Sequence, residues 1–248
     1  GQDRAQQSRP FEQQLLDMVA TILSDAKWSS PLTEQREVKK VCLVVYTTDR
    51  GLCGALNSNM IKQVSRRIQE LGDKSVELIC LGKKAYDFFR KRGFTVRAHL
   101  SGLVRTGSHE KMAEISQELR KLYEEKVFDQ IEIIYPRFVS AVAQKPTVVS
   151  LLPFKPEAGK TSEMCIYEPR PDQLMNRLVP MLIDFQMYRF LLEAIASEHA
   201  ARMAAMEAAT KNSKEMIARL TLERNRARQA VITKELMEII GGAEAIAA

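Results

Sequence analysis

The chain is poor in most of what site chemistry requires. It has three histidines, His99, His109 and His199. None is spaced to put two ring nitrogens on one metal, and no GxSxG elbow is present to expose an activated serine. The four cysteines, Cys42, Cys53, Cys80 and Cys165, are scattered without a CxxC pair. That excludes a zinc knuckle and a disulfide framework, and leaves reduced thiols of the cytosolic kind as the expectation. No stretch approaches the roughly 18–20 uninterrupted apolar residues needed to span a bilayer. The opening Gly1-Gln2-Asp3-Arg4 has no apolar segment of the signal-peptide type behind it. Aromatic residues are only 6% of the chain, and the net charge of +6 comes from basic residues interleaved with acidic ones. The densest basic cluster, Arg219, Arg224, Arg226 and Arg228, is offset by Glu223 and lacks aromatic partners for base stacking. A nucleic-acid surface is therefore not expected. A cationic face for acidic protein partners accounts for the balance.

A further scarcity is punctuation. From about Pro171 to Ile240 only Pro180 is a strong helix breaker, with Gly241-Gly242 expected as the stop. One helix of that length would extend roughly 100 Å at 1.5 Å per residue. A short-looped helical bundle is the competing reading, but no turn signal divides the segment. Phe185, Tyr188, Leu192, Ile195, His199, Met203 and Met206 recur at three- and four-residue steps, which predicts one buried face. Met216, Ile217, Leu220, Ala227, Val231, Leu236, Ile239 and Ile240 form a second run. Paired alanines throughout favour helix and permit close approach of a partner helix.

The middle of the chain changes period. Val41 to Tyr46 is a continuous apolar run, as in a strand buried on both faces of a parallel sheet. Val76–Leu81, Phe94–Leu100, Ile131–Phe138 and Val148–Phe154 are further strands. Between them fall helices carrying Ile61, Val64, Ile68 and Leu71, then Ala85, Phe88 and Phe89, then Met112, Ile115, Leu119 and Leu122 behind the cap Ser108. The last two strands, joined by about nine residues without helical pattern, are expected to be antiparallel. The fold class is thus α/β: a mostly parallel five-stranded open sheet with helices on both faces. Three regions are expected: an N-terminal helix at 1–27 with a kink near Pro10, an α/β (Rossmann-like) domain at 28–170, and a long C-terminal helix at 171–248. The terminal helices can pair as an antiparallel coiled coil.

The one candidate for chemistry is Thr47-Thr48-Asp49-Arg50-Gly51-Leu52-Cys53-Gly54-Ala55-Leu56-Asn57, after the first strand. Phosphates commonly sit at such a strand-to-helix junction. The motif is not GxGxxG, however, and no lysine follows Gly54 until Lys62. Asp49, Arg50, Gly51, Gly54 and Asn57 are read as a structural turn; a nucleotide-binding α/β enzyme built on Gly51–Gly54 is the alternative.

Four stretches together resemble the γ subunit, or central stalk, of F-type ATP synthases: TTDRGLCGALNSN, IIYPRFVSAVAQKPTVVSLLPF, SEHAARMAAMEAATKN and RNRARQAVITKELMEIIGGAEA. The similarity spans essentially the whole chain. It implies a rotor that couples ion-driven turning of the membrane c-ring to conformational changes at catalytic β subunits. Each orientation of an asymmetric shaft would present different contacts to each β site. The implied partners are the α and β subunits of the catalytic hexamer, the ε subunit and the c-ring, with ATP and Mg²⁺ held by α and β and no cofactor or metal here. The implied place is peripheral, on the cytoplasmic face of a bacterial inner membrane. By the same resemblance Arg228, Gln229, Thr233 and Glu235 would contact loops of the surrounding ring, and Ile232, Leu236, Ile239 and Ile240 would form an apolar bearing. Family members begin further upstream, so Arg4 to Leu23 would partner only about Asp184 to Met206. Residues beyond Ala208 are then expected to fray, bend or find a neighbouring chain in isolation.

Overall fold

The computed structural model describes residues 30–155 and 171–247. The expected N-terminal helix, its kink, its pairing with the C-terminal helix, and most of the proline-rich link before Pro171 lie outside the described residues.

Five strands form one sheet in the order β3-β2-β1-β4-β5. They are β1 (Lys40–Tyr46), β2 (Ser75–Leu81), β3 (Val96–Leu100), β4 (Gln130–Ser140) and β5 (Ala143–Leu152). β1 pairs in parallel with β2 and β4, β2 with β3, and only β4–β5 is antiparallel. Central β1 is buried from Val41 to Tyr46 because both its faces are covered. On one face lie α1 (Leu56–Leu71) and α2 (Lys83–Arg90), which bring Met60, Val64, Ala85 and Phe89 onto Val41, Leu43 and Val45. On the other lie α4 (His109–Glu124) and the first part of α5 (Pro171–Ala247), which bring Met112, Leu119, Val179, Met187 and Phe190 onto Cys42, Val44 and Tyr46. A four-residue helix, α3 (Leu103–Thr106), precedes α4. Ser108 caps α4 by accepting from the amide of Lys111. The mixed, mostly parallel α/β sheet is the fold expected from the strand and helix periods.

The helix from Pro171 is continuous through Pro180 to Ala247, and two expectations about it need correcting. Gly241-Gly242 does not stop it. Glycine costs helix about 1 kcal/mol per residue but keeps its amide, and alanines follow to sustain the turn. The buried face is also not the one read from the sequence. Met175, Val179, Leu182, Ile183, Met187, Phe190, Leu191, Ala194, Ser197 and Ala201 are buried; of the expected face Leu192 is buried too, whereas His199, Met203 and Met206 are exposed. Phe185, Tyr188 and Ile195 are half-buried. This part of the helix is apolar around most of its circumference, so spacing alone could not choose the seam.

A second difference lies at the end of the sheet. β4 and β5 continue to Ser140 and from Ala143, joined by Ala141-Val142 instead of by nine residues. Pro136 and Pro146 face one another in the register. They disguise the strands in sequence, since proline is ordinarily an edge or terminal residue of a sheet.

By contact density the chain divides at Ala204/Ala205. The first compact unit contains the sheet, its helices and α5 up to Ala204. The second, from Ala205 on, is helix whose residues from Glu207 to Ala243 are all exposed.

Candidate functional site

At the carboxyl ends of β1, β2 and β3 the loops converge, as they do around ligand crevices in open α/β sheets. Here the convergence is filled by the protein's own groups. The amide of Thr47 donates to the carbonyl of Leu81 at 2.9 Å, and Thr47 Oγ1 accepts from the amide of Ala85 at 3.0 Å. Thr48 is held by Asn57, whose Oδ1 accepts from the Thr48 amide at 3.1 Å and whose Nδ2 donates to Thr48 Oγ1 at 2.8 Å. Thr48 Oγ1 in turn donates to the carbonyl of Arg50. Leu52 and Gly54 both have positive φ, 61° and 57°, which closes the turn tightly enough for Cys53 to be buried.

Asp49 has the most telling position. Its Oδ1 accepts from the amide of Lys83 at 3.0 Å, the first residue of α2, and its Oδ2 from the amide of Gly102 at 2.7 Å. These N–H groups point where a phosphate would lie, on a helix start at the sheet's carboxyl edge. A carboxylate of the same chain already occupies them. The neighbouring cleft, about 410 Å³, is lined by Asp49, Arg50, Ser101, Gly102, Glu198, His199 and Arg202. Glu198 accepts from Arg202 at 2.6 Å there. Two of its three cationic or basic side chains, Arg50 and His199, therefore face a cleft whose acids are already engaged. This arrangement suits a braced turn and not a nucleotide cradle. Among the described residues no group of three or more His, Cys, Asp or Glu could hold a metal ion. None of their helices is long and apolar enough to cross a membrane. The thiols Cys42, Cys53 and Cys80 are free and buried. Burial pushes the Cys80 thiol up to about 12, away from reactivity.

The requirement for Gly82 has no clear mark in the sequence. A Cβ there would come 2.0 Å from the carbonyl oxygen of Thr47, and its φ is 125°. The signal available is only a glycine directly after a strand.

The second unit holds the remaining candidates. Arg228, Gln229, Ile232, Thr233, Glu235, Leu236, Ile239 and Ile240 are all exposed. At ~100° per residue they fall within about 160° of the helix circumference, so one face collects both the polar and the apolar set. Ile232 is 48% and Ile239 71% exposed. The ion pairs Arg219–Glu223 at 3.8 Å and Lys234–Glu238 at 3.6 Å are exposed i,i+4 pairs, worth a few tenths of a kcal/mol each. Among the described residues Arg226 and Arg228 join no ion pair, which leaves their guanidinium groups available.

Comparison with known proteins identifies the family. The sequence pattern of the family described as ATP synthase matches residues 1–246. The ATP synthase gamma chain of Heliobacterium modesticaldum is 40% identical over 256 residues, covering 99% of this chain and 88% of that protein. The corresponding chain of Chlorobaculum tepidum is 42% identical over 255 residues, covering 99% and 87%. Among solved structures, a chain of the Euglena gracilis mitochondrial ATP synthase (OSCP/F1/c-ring) superposes with a TM-score of 0.65 at 22% identity, covering 99% of this chain and 93% of that one. A chain of the Tetrahymena thermophila mitochondrial ATP synthase central stalk and c-ring gives 0.63 at 24% identity, covering 84% and 92%. At those identities the structures speak to the fold.

Proposed function

The chain belongs to the ATP synthase gamma chain family, and from that premise we propose how its two units divide the work of a central-stalk rotor. The first unit is the body that meets the ε subunit and the c-ring. The second enters the ring of α and β subunits and bears on it. Rotation presents a different part of an asymmetric helix to each β subunit. Sites whose conformations it contacts differently are thereby stabilised in different states. The chain performs no catalysis itself; nucleotide and Mg²⁺ belong to α and β. It is a peripheral subunit at a bacterial inner membrane, held there by its partners.

The observation that supports this reading is the face from Arg228 to Ile240. Apolar side chains at Ile232, Leu236, Ile239 and Ile240 stand in solvent beside Arg228, Gln229, Thr233 and Glu235. A contiguous exposed apolar patch rimmed by polar groups is the mark of a protein contact. Arg228 and Gln229 supply the reach and donors to hold loops of a ring, and the isoleucines supply a surface without directional bonds on which the ring slides. Asp49 argues against a nucleotide site at the start of α2, because its carboxylate already accepts from the amides of Lys83 and Gly102. At the Gly51–Gly54 turn the Thr48–Asn57 bonds and the missing phosphate-binding lysine argue the same way.

Co-purification with α, β and ε subunits, followed by ATP hydrolysis by the assembly, tests the reading. Arg228→Ala with Gln229→Ala should lower assembly or turnover while the isolated chain keeps its melting temperature. Unchanged turnover would remove both residues from the contact set. Micromolar binding of ATP by the isolated chain, measured by calorimetry, would revive the enzyme reading.

A further inference from the structure

A rotor that transmits torque must not let its shaft turn inside its own body. Apolar packing gives stability but little angular preference, because it is non-directional. In the first unit the upper part of the helix seam makes this acute. Its buried residues there are Ala194, Ala196, Ser197, Ala200 and Ala201, all small, and small side chains make shallow ridges that slide easily.

Among the described residues, Tyr46, Ser197 and Arg120 supply directional ties across this interface. Tyr46, at the end of β1, donates its hydroxyl hydrogen to the carbonyl of Met187 at 3.1 Å in a buried setting. Ser197, wholly buried, donates from Oγ to the carbonyl of Pro136 in β4 at 2.8 Å. Arg120 of α4 pairs with Asp184 at 3.2 Å. The Pro136 carbonyl is well placed for this role. Register pairing with β1 ends at Ile134, and Pro146, opposite Pro136, has no amide hydrogen to give.

The three points on the helix, Asp184, Met187 and Ser197, are spread along ~20 Å of axis. They cover about 140° of circumference. Ties on both flanks of the seam oppose turning in either sense, which a single tie would not. They also come from three different elements, so no one strand or helix can give way alone. We infer that Tyr46, Ser197 and the Arg120–Asp184 pair are positioning residues that form a torsional lock between α5 and the α/β unit. The inference rests on the rotor reading above. The Tyr46 and Ser197 bonds are buried and exchange little with water, so they persist under load better than surface pairs.

The test uses the chain assembled with its α and β partners, with a gold bead attached through Lys91→Cys on the α/β unit. If ATP fails to turn the wild-type bead, the rotor reading itself fails. If it turns, the angular variance of the bead during pauses measures the stiffness of the shaft in its body. Tyr46→Phe with Ser197→Ala should raise that variance about 1.5- to 3-fold, the upper figure corresponding to ties that carry all the stiffness. Bulk ATP hydrolysis should stay near wild type. Ser197→Thr, which keeps the hydroxyl, should hold the narrow distribution. Variance equal to wild type in the double variant would overturn the lock, whatever its melting temperature. If Tyr46→Phe assembles poorly, Ser197→Ala alone should still broaden the distribution, and an unbroadened distribution there would overturn the lock as well.

Discussion

The guanidinium of Arg67 grips the carboxylate of Glu132 in a fork, Nε to Oε2 at 2.7 Å and Nη2 to Oε1 at 2.6 Å, across the interface between α1 and β4. Glu132 is 3% exposed, and its only other described donor is the Gln130 amide at 2.7 Å. Arg67→Ala would strand a buried charge, so a loss of about 3 kcal/mol is expected in urea unfolding. Glu132→Gln in that background should recover part of the loss, because it removes the charge while keeping the shape. Equal stability of the two variants would mean that Glu132 is hydrated in the absence of Arg67.

Asp49 bridges the starts of two helices through the amides of Lys83 and Gly102. Asp49→Ala should cost about 1–2 kcal/mol, the usual worth of a lost side-chain cap. Asp49→Asn should fall between, since its amide can accept from only one of the two N–H groups. Thermal melting of the three proteins gives the ranking. Asn equal to Asp would show that one bond suffices.

Gly82 and Gly51 should respond oppositely to alanine. At Gly82 both the positive φ and the 2.0 Å approach to the Thr47 carbonyl oppose a side chain, so Gly82→Ala should yield little soluble protein. At Gly51 nothing lies within 4 Å of an added Cβ and φ is not in the left-handed range, so Gly51→Ala should shift stability by less than ~0.5 kcal/mol. Soluble yield and melting temperature decide both.

Stability should decline in alkali. Burial raises the Cys80 thiol from 9.0 to about 12 in the fold, and it raises Cys42 and Tyr46 further. The unfolded chain therefore releases these protons first. The contribution is complete below about pH 9, shrinks as pH climbs and is lost by the folded value near 12 for Cys80. Cys80→Ala should flatten the slope of melting temperature against pH between 9 and 10.5 or so. An unchanged slope would assign the alkaline loss to other groups.

How much of this is legible in the sequence depends on whether the signal is local. Val41 to Tyr46 announces a doubly covered strand because every position is apolar, and Ser108 announces a helix start because capping uses the next three residues. The ends of β4 and β5 are hidden by Pro136, Pro146 and the polar residues around Gln144, which read as loop. The helix seam is misplaced by spacing because its neighbouring faces are nearly as apolar as the buried one. Asp49's partners, Lys83 and Gly102, lie far off in sequence, and no spacing rule points from one to the other. Ser197 is similar: a lone hydroxyl among alanines says nothing until Pro136 is brought beside it. The ring contacts proposed for Arg228 to Ile240 are a different case. They rest on family resemblance, and the fold adds that they share one helix face.

The layered burial of the sheet has a consequence for biosynthesis. The face formed by Cys42, Val44, Tyr46, Ile131 and Ile133 is covered partly by α4 and otherwise by Met175 to Ala194 of α5. β5 ends at Leu152, so a ribosome completes all five strands well before the segment reaching Ala201 has emerged. At ~5–20 residues per second the sheet waits about 2–10 s with that face partly bare. Nascent chains of this protein should therefore be clients of ribosome-associated chaperones during that interval, and be released from them when the helix arrives.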